Sequence, residues 1–262
     1  MIEPTVALSP EQIQFFHHNG FVAVDALTTQ EEVQRLCNVY DDLFNRRAGR
    51  ERGDQFDLAG TDEEGKEAAL PQILNPGHYA PVLREGLLFA NACATARQLL
   101  GPDAVFGGDH AIFKPAERGA ATPWHQDEAY WDPALEYNSI SIWIPLQEAT
   151  LENGCMTFVP GSHTWEVMPH HSIGHDPRVH GLEIDDLPDP SLAVACPLHP
   201  GGATFHLSRT LHATGANTTT IPRRAYIMGF STPAKPRENV RDFYWNRMKR
   251  TAREERSKSA NN

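Results

Sequence analysis

Five short segments in the second half of the chain constrain its fold most strongly. They are "AVFGGDHAIFK", "NSISIWIPLQEA", "CMTFVPG", "GGATFHLS" and "RRAYIMGFST". Each is rich in β-branched and aromatic residues, and clusters of Gly, Pro and Asn separate them, which is typical of short strands joined by turns. Several short strands after a helical opening predict an antiparallel barrel or jelly roll decorated with N-terminal helices.

The first hundred residues carry helical patterns. Ser9 and Gln12 form a plausible capping box with a proline at the first helical position. The stretch "FVAV" predicts a buried strand, and a second helix is expected to begin after Thr28 or Thr29. Residues 86–100, "GLLFANACATARQLL", predict a further helix.

The chain is interpreted as a single domain over residues 1–262. A helix-rich part spans residues 1–103, a jelly-roll core spans residues 104–232, and a C-terminal helix or tail spans residues 233–262. The core contains an insertion at about residues 163–200, rich in His, Pro and Asp, which we expect to cover one mouth of the barrel. The late stretch "RDFYWNRMK" could cap a pocket or pack as a helix, and packing is favoured.

The charge of the chain narrows its partners. There are 23 basic and 34 acidic side chains, for a net charge of −11, which disfavours nonspecific binding to nucleic acid or anionic membranes. No apolar run approaches the roughly 20 residues that span a bilayer, and no secretory signal is evident. The four cysteines lack CxxC spacing. We expect a cytoplasmic protein, monomeric or homodimeric, that acts on a small molecule.

The stretch "TPWHQDEAYW" contains a histidine and an aspartate two positions apart, His125 and Asp127. On a strand, side chains at i and i+2 point to the same face. The pair could therefore supply two corners of a 2-His-1-carboxylate facial triad on Fe(II), with His212 as the best candidate for the third. Taken alone, such a pair is more often two polar residues of an ordinary strand.

A second cluster favours the metal interpretation. His212 is followed by the turn residues Gly215 and Asn217 and then by Arg223 on a predicted strand. A guanidinium inside a barrel is costly unless it meets an anion, and it is suited to bidentate capture of a carboxylate. The alternative is that Arg223 and Arg224 form surface ion pairs.

These residues lie within a longer resemblance. The chain resembles the phytanoyl-CoA dioxygenase family of Fe(II)/2-oxoglutarate oxygenases from about Leu8 to Phe230. The similarity is carried by "LSPEQIQFFHHNGFVAVDALTTQEEVQRL", by "FKP" ahead of "WHQD", by "SIWIPLQEATLENGCMTFVPGSH" and by "FHLSRTLHATGANTTTIPRRA". The ordered set HxD, NG, PGSH and HxxGxN-R is far more specific than any one motif.

The resemblance implies a double-stranded β-helix core, cupin-like, in which His125, Asp127 and His212 hold iron. It places 2-oxoglutarate against Arg223, eleven positions after the distal histidine. Oxygen is the third reactant, and succinate and carbon dioxide are the co-products. Because related halogenases carry a small residue in place of the carboxylate, Asp127 argues against halogenation.

Four more positions are implied to contact the cosubstrate. Thr214 matches a hydroxyl that helps hold the same carboxylate, Trp143 matches a residue lining the pocket, and Gln126 lies beside the ligands. His110 stands where relatives often carry a methionine. It could bond 2-oxoglutarate or be a core histidine, and both interpretations stay open.

The other histidines are not expected to bind iron. His206 has the wrong spacing to Arg223, and His163 ends the PGSH turn. In the insertion, a solvated loop is favoured over a second zinc site. Its histidines are His170, His171, His175 and His180.

The sequence thus predicts an oxygenase that hydroxylates an aliphatic C–H bond of a small metabolite. Tyr130, Trp131 and the insertion are expected to shape the substrate pocket, although such aromatic residues often simply pack. No basic nucleotide site supports a CoA ester. The alternatives are a facial-triad iron enzyme that gives a desaturation, ring or epoxide, and a non-catalytic cupin-like binding module.

Overall fold

The structure is a computed structural model that describes residues 2–260, so the last two residues of the predicted tail lie outside it. The helices are α1 (Pro10–Asn19), α2 (Gln30–Asn45), α3 (Pro76–Tyr79), α4 (Leu87–Leu100), α5 (Tyr244–Met248) and α6 (Ala252–Ala260). The strands are β1 (Phe21–Val24), β2 (Gln55–Asp57), β3 (Pro71–Leu74), β4 (Val105–Lys114), β5 (Thr122–His125), β6 (Leu135–Glu136), β7 (Ser139–Pro145), β8 (Met156–Phe158), β9 (His170–Ser172), β10 (Leu182–Ile184), β11 (Val194–Cys196), β12 (Ala203–Leu207), β13 (His212–Thr214), β14 (Arg223–Ser231) and β15 (Lys235–Pro236).

The predicted signals at the start of the chain are confirmed. The Ser9 hydroxyl accepts a hydrogen bond from the Gln12 N–H, and the Gln12 side chain accepts one from the Ser9 N–H, which completes the capping box of α1. The helix ends at Gly20, where φ is +83° and a Cβ would lie 2.4 Å from Nδ1 of His163. Glycine is therefore required at this turn. Thr29 caps α2.

Two antiparallel sheets form the core. The larger has seven strands in the order β1-β12-β7-β14-β4-β3-β2, and the smaller has four in the order β11-β8-β13-β5. Phe21 on β1 stacks on Phe158 on β8, with ring centroids 4.5 Å apart, so apolar contacts join the two sheets. The predicted mainly β jelly roll with flanking helices is confirmed.

The larger sheet uses its two faces differently. On β7, Ile140, Ile142 and Ile144 belong to the apolar cluster shared with the N-terminal helices. Ser141 and Trp143 alternate with them and line a cavity between the sheets, as the two-residue period of a strand requires. This shared core is consistent with one domain. The division into three parts stays a prediction.

The insertion is more ordered than a solvated loop. It contributes the β9–β10 hairpin, and β11 extends the smaller sheet. His170 is buried, and its Nε2 accepts a hydrogen bond from the Gln126 N–H at 3.2 Å. The expectation of a solvated loop is therefore wrong for His170, because strand alternation turns this residue inward while it turns His171 outward.

The C-terminal segment packs against the 3-10 turn after β5. Trp245 is buried and donates a hydrogen bond from Nε1 to the Ala129 carbonyl at 2.9 Å, and Asn246 donates to the same oxygen at 2.8 Å. Arg241 pairs with the buried Glu128. These bonds place the segment as a packed helix rather than as a cap over the cavity.

Lys249, directly after α5, is buried by this packing, so its replacement measures the free energy that burial of its ammonium costs. Its ammonium lies 4.6 Å from the ring centroid of Tyr130, and burial lowers the pKa of Lys249 from 10.5 to about 7. The unfolded chain therefore takes up a proton near pH 10.5 that the folded protein takes up only near pH 7, which lowers the free energy of unfolding as pH falls between those values. Lys249→Met should raise that free energy by about 4 kcal/mol near pH 6 and by about 1 kcal/mol near pH 10.

Urea denaturation at the two pH values measures this difference. Lys258→Met is the control, because Lys258 is exposed on α6. An equal gain at both pH values would contradict the account.

Candidate metal centre

His125, Asp127 and His212 converge at one place between the sheets. His125 ends β5 and His212 begins β13, and the antiparallel register pairs the two residues directly. Their Nε2 atoms lie 3.7 Å and 3.6 Å from Oδ1 of Asp127. The three ligand atoms all lie within 4.8 Å of one another. The structure therefore brings together the three residues that the sequence predicted as ligands.

The local backbone corrects one detail of that prediction. The strand ends at His125, and Asp127 opens a 3-10 turn, Asp127–Tyr130, rather than continuing a regular strand. Gln126 keeps extended angles, φ −119° and ψ 130°. Because the chain is still extended there, the side chains before and after Gln126 face the same side.

Each histidine presents the same nitrogen to the centre. Nδ1 of His125 lies 2.8 Å from the Pro123 carbonyl, and Nδ1 of His212 lies 2.8 Å from the Thr210 carbonyl. A carbonyl only accepts hydrogen bonds, so Nδ1 carries the hydrogen and the Nε2 lone pair is free. Burial lowers the pKa of both histidines, which keeps them in the neutral form that metals bind.

The carboxylate is held by two groups that the sequence interpretation missed. The Ser141 hydroxyl donates to Oδ2 of Asp127 at 2.6 Å, and Nε2 of His206 lies 3.3 Å from the same oxygen. Ser141 and His206 are direct partners across β7 and β12. Oδ1 remains directed toward the two Nε2 atoms.

His206 and Ser141 could have been found from one feature of the sequence. Each is a polar residue within an otherwise apolar strand, "ATFHL" and "SISIWIP". The spacing of His206 to Arg223 excludes His206 only as a metal ligand. Spacing along the chain carries no information on which side chains support the carboxylate.

The donor set fits iron. Two imidazole nitrogens and one carboxylate oxygen are the ligands of the facial triad found in non-haem Fe(II) oxygenases. Each nitrogen is oriented by a backbone carbonyl, and the second carboxylate oxygen is occupied by hydrogen bonds. Ligands of metal ions are commonly supported by such outer contacts.

Arg223 lines the same cavity and has no counterion among the described residues. Its side chain is 1% exposed, and Nε and Nη1 have no hydrogen-bond partner there. Burial lowers the pKa of Arg223 to about 10, so the guanidinium is charged at neutral pH. Its central carbon lies 5.4 Å from the Trp143 ring centroid. A buried, unpaired cation is costly, so the cavity is suited to an anionic ligand.

The neighbouring arginine faces the other way, as strand alternation requires. Arg224 pairs with Asp41 through two hydrogen bonds of 2.7 Å and 2.9 Å. The surface ion-pair alternative therefore describes Arg224 and not Arg223.

Three of the other predicted cosubstrate residues line the cavity, and one does not. Trp143, Thr214 and His110 are part of its wall, and the Thr214 hydroxyl has no partner among the described residues. Nδ1 of His110 lies 3.2 Å from the Gln72 amide nitrogen. Because that nitrogen only donates, Nδ1 of His110 accepts and its Nε2 carries the hydrogen.

Gln126 points away from the cavity. Its amide nitrogen donates to the Arg209 carbonyl at 2.8 Å, and its carbonyl oxygen accepts from the Met168 N–H at 2.8 Å. The alternation that directs its two neighbours toward the centre turns Gln126 outward. The structure therefore does not bring Gln126 to the cosubstrate position that the resemblance implied.

The cavity has a volume of about 280 Å³. Tyr130 and Trp131 line it, as expected for a substrate pocket, together with His180 from the insertion. Nδ1 of His180 is buried without a hydrogen-bond partner among the described residues. A ligand of modest size could reach the candidate metal ligands from this side.

Comparison with known proteins assigns the family. A sequence model described as phytanoyl-CoA dioxygenase (PhyH) matches residues 16–225. The chain belongs to the phytanoyl-CoA dioxygenase family. It is therefore an Fe(II)/2-oxoglutarate-dependent dioxygenase, with Fe(II) as its cofactor and 2-oxoglutarate and oxygen as its cosubstrates.

None of the helices that the structure describes could cross a membrane.

Individual relatives agree with membership of the phytanoyl-CoA dioxygenase family. The chain is 25% identical to a probable phytanoyl-CoA dioxygenase of Caenorhabditis elegans, covering 83% of this chain and 73% of the relative. EvdO2 from Micromonospora carbonacea var. aurantiaca is 41% identical with a TM-score of 0.81, covering 93% and 99% of the two chains. Its complex with 2-oxoglutarate aligns with a TM-score of 0.79 and 36% identity over the same shares. The carbocyclase SnoK from nogalamycin biosynthesis is 25% identical with a TM-score of 0.70, covering 93% of each chain.

Removing the Ser141 hydroxyl tests the support of the carboxylate. Ser141→Ala leaves Oδ2 of Asp127 with one hydrogen-bonding neighbour, so Fe(II) affinity should fall by about 10-fold, as for other outer-contact losses. Anaerobic titration with Fe(II) measures the change. Ser139→Ala is the matched control, because the Ser139 hydroxyl donates to the Phe230 carbonyl. Equal losses in the two variants would refute a specific role for Ser141.

Proposed function

We propose that this dioxygenase hydroxylates an aliphatic C–H bond of a small-molecule metabolite and releases succinate and carbon dioxide. The observation that carries the proposal is the buried guanidinium of Arg223, whose Nε and Nη1 have no partner among the described residues and which lies in the same cavity as the three candidate ligands. One wall offers the donor set for iron, and another offers a cation for a dicarboxylate cosubstrate.

The iron would be held by three side chains. His125 and His212 would bind through Nε2, and Asp127 would bind through Oδ1. Iron with 2-oxoglutarate and oxygen supplies the oxidising power for C–H cleavage, and the protein contributes binding, orientation and electrostatics. Ser141 and His206 would keep the carboxylate in one orientation through Oδ2.

The cosubstrate would be held by residues of β13 and β14. Arg223 offers Nε and Nη1 to the carboxylate far from iron, and the Thr214 hydroxyl offers a third polar contact. Trp143 covers the guanidinium from one side. Since Arg223 is buried, its charge-assisted hydrogen bonds would be stronger than they would be at the surface.

The remaining wall suits an uncharged portion of a metabolite. Asp127 and Arg223 are the charged groups among the described residues that line the cavity, and both are assigned to the metal and the cosubstrate. No basic cluster remains there for the phosphates of a CoA ester. Tyr130, Trp131 and His180 would contact the substrate.

A second outcome for the same cofactors is ring formation or desaturation. SnoK, which shares the fold at 25% identity, is a carbocyclase. The chemistry would begin with the same removal of a hydrogen atom, and the two outcomes would diverge only after that step. Hydroxylation adds one oxygen atom to the substrate, whereas ring closure or desaturation removes two hydrogen atoms, so the product mass separates them.

The first test is cosubstrate binding. Anaerobic addition of Fe(II) and 2-oxoglutarate should give a visible charge-transfer band in the wild-type protein and none in His212→Ala. Arg223→Met should raise the apparent dissociation constant of 2-oxoglutarate by about 100-fold, because a hydrogen-bonded charge pair is lost.

The control is Arg224→Met, which removes a neighbouring guanidinium that pairs with Asp41 instead. Its dissociation constant for 2-oxoglutarate should match that of the wild type. A wild-type protein that holds iron but shows no band with 2-oxoglutarate would sink the proposed cosubstrate site.

The second test detects the products. Aerobic reactions with neutral candidate metabolites should couple succinate formation to a product heavier by one oxygen atom, detected by mass spectrometry. Labelled oxygen gas should deliver one label to succinate and one to the product. A product lighter by two hydrogen atoms would establish the alternative outcome.

A further inference from the structure

The β9–β10 hairpin of the insertion carries a second group of metal-ligating side chains, separate from the candidate iron centre. His171 projects from β9, His175 lies in the connecting turn, and Asp185 comes directly after β10. One ligand atom from each lies within 4.8 Å of the others. We propose that this group binds a divalent transition-metal ion, of which Zn²⁺ is the most suitable.

His171 lies between the carboxylates of Asp185 and Glu183, 2.9 Å and 3.6 Å away, which favours a positive charge at this position. Nδ1 of His171 lies 2.8 Å from the Ser172 carbonyl, so Nδ1 carries a hydrogen. In the neutral imidazole, Nε2 then has only a lone pair, yet it lies 2.9 Å from Oδ1 of Asp185. Two acceptors at this distance repel each other unless a proton or a metal ion lies between them.

A metal ion between the two atoms would account for this contact. Zinc binds imidazole nitrogen at about 2.0–2.1 Å and carboxylate oxygen at about 2.0–2.2 Å, so neighbouring ligand atoms of a tetrahedral site lie about 3.3–3.4 Å apart. The His171 Nε2 to Asp185 Oδ1 distance of 2.9 Å is about half an ångström shorter, so the exposed Asp185 carboxylate would move outward when the ion binds. The carbonyl on Nδ1 of His171 provides the outer contact that zinc-binding histidines usually have.

His175 would be the third ligand. Its ring stacks on that of His171, with centroids 3.6 Å apart and planes 14° apart. Parallel rings cannot both direct a lone pair at one ion, so the His175 ring must turn. His175 is exposed, and this rotation meets little obstruction. Two imidazoles and one carboxylate favour zinc, copper or nickel over calcium or magnesium, which prefer oxygen ligands.

The proposed ion would bind on the outer face of the β9–β10 hairpin. The inner face of the same hairpin contacts the segment that carries His125 and Asp127. His170 precedes His171 and accepts a hydrogen bond from the Gln126 N–H, between His125 and Asp127. Metal binding to the outer face should therefore stabilise the folded protein, because the ligands come together only when the hairpin is formed.

Zinc stoichiometry tests the proposal on the full-length protein. After metal removal, titration with ZnCl₂ should show two equivalents in the wild type, since zinc also occupies sites of the iron type. The double variant His175→Asn/Asp185→Asn should lose one equivalent and keep the other. Asparagine tolerates the positive φ of His175, +55°, and both changes leave the buried face intact. His199→Asn, at another exposed histidine, should keep both equivalents.

A second variant removes the candidate iron ligands, so that any zinc that remains bound is at the hairpin. His125→Ala/His212→Ala should retain one zinc equivalent, and adding Asp185→Asn should weaken that remaining site by at least about 10-fold. Circular dichroism confirms that each variant is folded. The proposal is overturned if the two hairpin substitutions leave zinc stoichiometry unchanged. It is also overturned if His171 proves to be a protonated partner of Asp185 in a protein that takes up no zinc at the hairpin.

Discussion

The pairing of β5 with β13 is the constraint on which the rest of the centre depends. The antiparallel register sets His125 directly opposite His212, and strand β13 is fixed on its other edge by β8. A shift of one residue would turn one imidazole to the opposite face of the sheet. Because both edges of β13 are paired, such a shift would break two ladders at once, and the two nitrogens stay within reach of one metal ion.

The cavity wall formed by β7 and β14 of the larger sheet shows how polar residues in the interior are compatible with a stable fold. Strand β7 places its isoleucines against the helices, and β14 places Tyr226 and Met228 there. Alternate residues of both strands line the cavity. Apolar burial on one face stabilises the sheet, so the other face can carry an uncompensated group such as Arg223. Binding of an anion would satisfy that guanidinium and shift the folding equilibrium further toward the native state.

Sequence patterns predicted the elements whose rules are local. The caps of α1 and α2, the alternation along strands, and the spacing from His212 to Arg223 depend on neighbours within a few residues or on one short turn. The support of Asp127 by His206 and Ser141, and the outward position of Gln126, depend on contacts between segments far apart in the chain. A single sequence contains no distance between such segments. The pairing of His212 with His125 is also such a long-range contact, and it was predicted through the resemblance to a family, whereas the surroundings of the three ligands were not predicted.

The hydrogen bonds of Gln126 couple the insertion to the metal site. Its backbone N–H reaches His170 and its side chain reaches Met168 in the insertion, while its amide nitrogen reaches Arg209, shortly before His212. The insertion, which lines the cavity through His180, is thus attached by hydrogen bonds to the peptide between two candidate ligands. Replacing this insertion with that of a relative would therefore affect more than the cavity wall. The new insertion would also have to supply hydrogen-bond partners for Gln126, because otherwise the geometry of the metal site would change as well.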